Sequence, residues 1–314
     1  MNILPRISVV MSVWNAHATL KRAVASILSQ TFKDFEFLIV DDGSDDGSAA
    51  LLDGVALRDS RIRIFHQKSS GLTCSLVSAC QDARGVWIAR QDADDWSEPD
   101  RFAKCLALAE GFPDCTMVSS WTDYRGPAGE LLDEVQRPAS PEEATDALLH
   151  RQMGPPAHGS VMFRRDAYEQ AGGYRPAFYF GQDSDLWLRM ARSGKIAYVQ
   201  ESLYHYTVSP SAISGRFGDV QKRFGELGQL CYAARRIGES ETPYLDELAA
   251  LTAATRLKKS GGSRSASAGS NYRIGVQLAR RGDPAAARYF REAIRLQPLH
   301  WRAFVRLAMC QLKK

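Results

Sequence analysis

Short apolar, β-rich runs alternate along the first hundred residues with stretches whose apolar residues recur every three or four positions, and this alternation leaves few folds open. ISVVMSV, residues 7–13, is too short for most helices and reads as a buried strand that ends in a loop at Trp14. Leu20, Val24, Ile27 and Leu28 then stack on one helical face, with Thr19 placed to cap it. FEFLIV, residues 35–40, is a second strand, and DDGSDDGS after it favours a turn and a fresh helix start. A third strand over 62–65, a helix over 72–83 and a fourth strand over 86–89 complete the pattern. Strands alternating with helices predict an α/β fold with a mainly parallel sheet and function at the carboxyl ends of its strands. Both acidic clusters, DDGSDD and QDADDW, sit at such ends.

Residues 100–200 mix helix and strand, with turn-rich breaks at 126–129 and 154–156, and the chain beyond Gly215 reads as helical. KKSGGSRSASAGS has almost nothing to bury and predicts a flexible linker. The expected division is therefore 1–215, a main domain; 216–257, a helical extension; 258–271, the linker; and 272–314, a last helical segment. In that segment Gly282, Ala286, Phe290, Ala293 and Pro298 fall at offsets resembling one tetratricopeptide repeat, whose apolar face must pack on the main body, a partner or another copy.

With 45% hydrophobic and 24% charged residues, and no apolar run near the roughly 20 residues a bilayer demands, no transmembrane helix is expected. No leader is read in residues 1–14, so cytoplasmic residence is the expectation, with peripheral contact at the inner membrane face as an extension of it. The six cysteines are scattered and read as free thiols. Residues 1–215 hold 21 basic and 28 acidic residues, against 19 and 8 in residues 216–314, so the positive excess lies in the tail. Such a tail could meet nucleic acid, anionic lipid or an acidic partner, although solvated helix faces explain most such biases; of these, no nucleic-acid partner is expected.

QDADDW puts three carboxylates into four residues, a cluster that repels itself and so calls for a cation or for solvent. Magnesium and manganese prefer oxygen ligands and often use one or two protein carboxylates, completed by phosphate oxygens and water. Read alone, the same acids could simply cap a helix starting near residue 98. No Gly-x-Gly-x-x-Gly and no P-loop sequence occurs, which removes the main support for dinucleotide or P-loop chemistry.

ISVVMSVWN, SILSQTFKDFEFLIVDDGSDDGS, GVWIARQDADDWSEPDRF, AHGSVMFRR, GGY and GQDSDLWLRMA, in that order over about residues 5–215, resemble the inverting family-2 glycosyltransferases of the GT-A fold. The resemblance implies a GT-A nucleotide-sugar-binding fold with a C-terminal helical extension. It further implies metal-dependent transfer of one sugar from a nucleotide-sugar donor, a UDP-sugar by expectation, to a hydroxyl on a glycan, a lipid-linked glycan or a protein.

Carried over residue by residue, Asp92-Ala93-Asp94 matches the Asp-x-Asp motif. Asp94 is implied as ligand of Mn2+ or Mg2+, Asp92 as a ribose contact or second ligand, and Asp95 as a structural neighbour. Ser12, Trp14 and Asp42 are implied at the nucleotide base, and His158 at the donor diphosphate or sugar. Asp183 is implied as the base that deprotonates the acceptor, with Gln182 standing where the family usually has Glu; Asp185 is the fallback, in a supporting role.

The sequence also departs from the family. Leu76-Val77 replace an Arg-Asn pair, and YHYTVSPSAIS shows Thr207 and Ser209 in place of the usual Arg and His. His205, Arg216 and Arg164 are the candidate substitutes at the diphosphate, His205 also as a further metal ligand. Without Gln-x-x-Arg-Trp, one sugar per encounter is expected. Two other readings stay open: transfer to a polyprenyl phosphate, whose acceptor is already ionised, and a degenerate scaffold whose helical tail binds a partner.

Overall fold

The computed structural model describes residues 4–150, 153–209, 218–256 and 264–312. Its first half follows the alternation in the sequence. Strands β1 (Ile7–Val13), β2 (Phe35–Asp41), β3 (Ile62–His66) and β4 (Trp87–Arg90) are joined by helices α1 (His17–Leu28), α2 (Ser48–Ala56) and α3 (Leu72–Gln81), and they pair in parallel in the order β3-β2-β1-β4. Alternate residues of β1 serve opposite faces of the sheet. Ile7, Val9, Met11 and Val13 pack with Leu20, Val24 and Ile27 of α1, whereas Val10 packs with Leu38, Val40 and, from α3, Leu76. Covering both faces is what makes these strands near-continuous apolar runs.

Helix α1 starts earlier than expected. Ala16 is its N-cap and Thr19 lies inside the first turn, its hydroxyl donating to the carbonyls of Ala16 (3.2 Å) and Ala93 (2.9 Å). Thr19 thus ties α1 to the Asp92–Asp94 turn and caps nothing.

The second half of the main body comprises β5 (Trp96–Ser97), α4 (Arg101–Gly111), β6 (Cys115–Arg125), β7 (Leu131–Val135), α5 (Pro141–Leu149), a single 3-10 turn at His158–Ser160, β8 (Met162–Arg164), α6 (Arg165–Gln170), α7 (Gln182–Met190) and β9 (Lys195–Thr207). The sheet continues β4-β8-β6-β9-β5, with β7 added beside β6. Here the sheet becomes mixed, although it stays parallel over most of its paired length. β8 runs antiparallel to β4 and β6, β7 antiparallel to β6, and β5 antiparallel to β9; only β6 and β9 pair in parallel. The turn at 126–129, with Gly129 at φ +89, returns the chain at once from β6 into β7, and so short a connection can join only antiparallel strands.

Helices α8 (Gly218–Ile237) and α9 (Thr242–Arg256) close on the main body through Phe224, Leu227, Cys231 and Leu248, which cluster with Phe178. Helices α10 (Arg264–Arg280), α11 (Ala286–Leu296) and α12 (Trp301–Leu312) form a further group around Ile274, Leu278, Phe290 and Ala293. Gly275 leaves room for the Phe290 ring, which a Cβ there would meet at 2.7 Å. This group leans on the β6–β7 hairpin: Leu132 lies in its core, and Glu130 bonds Tyr289 (3.0 Å) and pairs with Arg288.

The linker expected over 258–271 is corrected from Arg264 onward, where the chain is helical and small residues let Ala268, Ser270 and Asn271 bury against neighbours. Residues 257–263, like the expected boundary at 215/216 and Arg216, lie outside the described residues. All six cysteines are free thiols.

Candidate active site

The Asp-rich turn is held from several sides. β4 ends in Arg90, fully buried, which donates to the Val10 carbonyl (2.7 Å) and to Asp92 Oδ1 (2.5 Å). Arg101, also fully buried, fastens the same turn by donating to the carbonyls of Arg90 (2.8 Å) and Gly159 (3.0 Å) and to the Ser97 hydroxyl (2.7 Å). Asp95 turns inward, accepting from the Tyr204 hydroxyl (2.7 Å) and the Thr207 amide (2.7 Å). Burial, then the charges of Asp94 and Asp92, push its carboxyl well above the usual range, so it is the structural neighbour the sequence implied.

Asp94 is different. Its residue is exposed, and among the described residues no other residue donates a hydrogen bond to its carboxylate. Desolvation by the surrounding walls, and then the Asp92 charge, push that carboxyl up to about 6. Two adjacent carboxylates, one of them raised by the other's charge and without a partner, fit a divalent cation that brings further ligands with it. The described residues contain no group of three or more metal-binding side chains.

Gly159, in the 3-10 turn, lets the chain pass close over this turn. A Cβ there would stand 1.7 Å from the Tyr204 hydroxyl and 2.9 Å from Asp92 Oδ2. Its neighbour His158 accepts at Nε2 from Arg90 Nε (3.3 Å), with the Tyr174 hydroxyl on the same nitrogen at 2.7 Å. Because an arginine nitrogen only donates, Nδ1 carries the imidazole proton. Burial, then Arg90, pull the ring's proton affinity far down, so His158 is neutral.

A cleft of about 720 Å³ is lined by Asp92, His158 and Asp183 together, with Tyr124, Tyr206 and Val135 among its walls. Gly181, at φ +71, turns the chain sharply into α7, which sets Asp183 in the first helical turn. Burial is the main reason its carboxyl is raised above the usual range. The Ser184 amide lowers it, Asp92 raises it and Arg90 lowers it. A half-buried carboxylate with raised proton affinity suits a general base.

Near the end of β1, Ser12 is half-buried, and Trp14, just beyond the strand, stands 49% exposed. Asn15, at φ 50, carries the loop out, and its amide clamps Asp45 reciprocally (2.8 and 2.9 Å). Trp14 is therefore an open aromatic face on a fastened loop.

Asp42 has a different task from the one implied. It is buried, and its two oxygens accept from the amides of Ser70 (2.8 Å) and Gly71 (2.8 Å) and from Gln67 (2.7 Å) and Ser69 (3.2 Å). It latches the loop before α3, and no lone pair is left over for a base.

Two further expectations fail on geometry, and Asp185 is left with the supporting role alone. His205 is buried between Glu98 (2.6 Å) and Asp123 (3.4 Å) and stacked on Trp96 (4.8 Å), so both ring nitrogens face carboxylates and neither turns to Asp92 or Asp94. Arg164 pairs with Asp166 and lies opposite Trp87, at the end of β4 away from the Asp-rich turn. Asp185 is buried among Arg175, Arg189 and Arg235, out of reach of a substrate.

Thr207, noted as a departure, donates to the Asp94 carbonyl (2.6 Å), and Leu76 is core. Sequence reasoning missed Arg90, Arg101 and Arg22. Arg22 donates to the Asp94 carbonyl (3.1 Å) and lies 3.8 Å over Trp96. The one available signal was Arg90 itself, a charge closing an apolar strand directly before the acids.

The profile of "Glycosyl transferase family 2" matches residues 8–172. EpsE, a glycosyltransferase-type protein of Bacillus subtilis (strain 168), is 32% identical over 225 residues, which are 69% of this chain and 78% of its own. Among solved structures, S. aureus TarS 1-349 in complex with UDP overlaps with a TM-score of 0.57 at 14% identity, covering 97% of this chain and 88% of that one. The mannosyltransferase PcManGT from Pyrobaculum calidifontis, in complex with GDP-Man and Mn2+, overlaps at 0.56 and 18% identity, covering 99% and 87%. These two overlaps establish the GT-A fold. With the profile covering half the chain and EpsE a third identical across most of it, the chain belongs to glycosyltransferase family 2.

Proposed function

We propose that this glycosyltransferase moves one sugar from a UDP-linked donor to a hydroxyl of a glycan or lipid-linked glycan, with inversion at the anomeric carbon. The observation that carries the reading is the single cleft lined by Asp92 and Asp183, with Asp94 beside Asp92 and lacking a partner. The donor lies between Trp14, which stacks on the base, and the Asp92–Asp94 turn. UDP is the first choice because it is bound by TarS, and Mn2+ accompanies a nucleotide sugar in PcManGT. Asp94, assisted by Asp92, would hold Mn2+ or Mg2+, which neutralises charge on the departing diphosphate when bound.

Asp183 takes the proton of the acceptor hydroxyl as that oxygen bonds to the anomeric carbon; the bond from that carbon to the diphosphate oxygen breaks on the opposite face, and the electron pair leaves with UDP. His158 offers its Nδ1–H to the donor from the cleft wall. Tyr124 and Tyr206, ring centroids 5.0 Å apart, present an aromatic wall to the acceptor sugar.

The test is calorimetry of UDP, with and without Mn2+, on the native chain and on Asp94→Ala, followed by hydrolysis assays with UDP-, GDP- and dTDP-sugars. Metal-dependent UDP binding that Asp94→Ala abolishes supports the reading. Failure to bind any nucleotide sinks it in favour of a scaffold, and release from a GDP- or dTDP-sugar alone replaces the donor.

A further inference from the structure

Helix α12 is the one element of the C-terminal group with an apolar surface on both sides. Ala303 is buried, and Leu307 and Cys310 pack on the core formed with α10 and α11. On the other side Trp301 is 66% exposed, Phe304 50% and Val305 51%; Met309 is exposed too. Their spacing of three, four and eight residues from Trp301 puts all four on one helical face. Leu299, in the turn before the helix, is 88% exposed and extends the same apolar region. So large a cluster of exposed side chains, an aromatic pair included, marks a surface that meets something less polar than water.

Charge decides the occupant. Helix α12 contains no acid, and Arg302 and Arg306, one turn apart, flank its apolar face with no acidic partner among the described residues. Residues 264–312 hold nine arginines against Asp283 and Glu292. Glu292 is already paired with Arg295, and Asp283 accepts the Ala285 amide. A second copy docked face to face would set arginines against arginines with nothing between them. An anionic bilayer supplies what the face lacks: headgroup charge for Arg302 and Arg306, and an acyl boundary for Trp301, Phe304 and Met309.

We propose that α12 is an interfacial docking face that holds the protein on anionic lipid. The same C-terminal group leans on the β6–β7 hairpin, which contributes Tyr124 and Val135 to the cleft walls, so a membrane at α12 is coupled to the catalytic body by direct packing. This inference does not depend on the donor or the base proposed above.

The test is flotation of the full chain with phosphatidylglycerol–phosphatidylcholine vesicles and with phosphatidylcholine alone, at about 0.1 M and about 0.5 M salt. The native chain is expected to float with the anionic vesicles only, and less at high salt. The pair Trp301→Ser, Phe304→Ser is expected to weaken partitioning about tenfold, and Arg302→Gln, Arg306→Gln several-fold. All four side chains are exposed, so an unchanged melting temperature confirms that the variants fold. Equal flotation of native chain and variants would place the attraction elsewhere on the basic tail and overturn the proposal. So would no flotation at all, or a native dimer in sedimentation velocity that the Trp301→Ser, Phe304→Ser pair dissociates.

Discussion

Asp94 and Asp185 are both aspartates at acidic runs of nearly the same spelling, QDADDW and GQDSDLW, yet one lacks a partner and the other is surrounded. Asp185 is buried and paired with Arg175, Arg189 and Arg235, with Glu241 joining Arg175 (2.8 Å) and Arg235 (2.7 Å) from the start of α9. That network bolts α7 to the helical extension. Asp94 has no such set of cations, only the Arg22 guanidinium on its backbone carbonyl and an Asp92 that repels it. The number of partners a carboxylate already has, more than its place in a motif, separates a structural acid from one kept open for a ligand. Asp183 belongs with Asp94: two residues from Asp185, it points into the cleft.

The largest expected effect falls on Asp183. Asp183→Asn keeps the shape and removes the proton acceptor, so kcat should fall about 10²- to 10⁴-fold while UDP binding is unchanged. Single-turnover assays beside calorimetry measure both. Undiminished turnover would point to an acceptor that arrives ionised, as a polyprenyl phosphate does. Since burial raises the Asp183 carboxyl, its deprotonated form is lost on descending through a pH above the normal carboxylate range. In the native enzyme the acid limb of the rate profile should therefore sit higher than an exposed aspartate would place it, and it should vanish in the residual activity of Asp183→Asn.

Next in size is the stability held by the other acid. Asp185→Ala leaves Arg189 and its neighbours short of a buried anion, and breaking such a pair costs about 3 kcal/mol or more. A urea titration of the variant should show an earlier midpoint, with α8 and α9 the first helices to lose protection from hydrogen exchange. Nucleotide affinity should barely change. If instead Asp185→Ala abolishes UDP binding while stability holds, the contrast between the two aspartates collapses.

Much of this was legible in the sequence. Buried parallel strands must be apolar on both faces, so β1, β2 and β4 announced themselves as continuous runs, and the acids at their carboxyl ends located the site. The second half was less readable. β8 has three residues and β5 two, too few to show a period, and their direction is set by long-range pairing with β4, β6 and β9. Site residues were lost for the same reason. The donors that saturate Asp42 lie 25 to 29 residues away, and the carboxylates that enclose His205 lie 107 residues off and on a neighbouring strand. A motif shows which residue types are present; which of them are already occupied becomes visible only once the chain is folded.

The smallest effect sharpens the contrast most. Asp94 gains a proton near pH 6, far above a free aspartate, because desolvation and the Asp92 charge both disfavour its ionised form. A divalent ion competes with that proton, so affinity for Mn2+ should be flat above about pH 7 and fall about tenfold between pH 7 and pH 5. Glu241 behaves oppositely: burial raises its carboxyl, but bonds from Arg235 and Arg175 outweigh it and bring it down to about 2. Its folded-state affinity for protons lies below that of the unfolded chain, so its share of stability is present above the usual glutamate range and fades only as pH falls toward about 2. At pH 5 the two regions should therefore part company, with metal affinity reduced and the α7–α9 junction intact. Mn2+ titrations and thermal melts at pH 5 and pH 7 measure both. Metal affinity that stays level across that range would mean that Asp94 does not hold the ion.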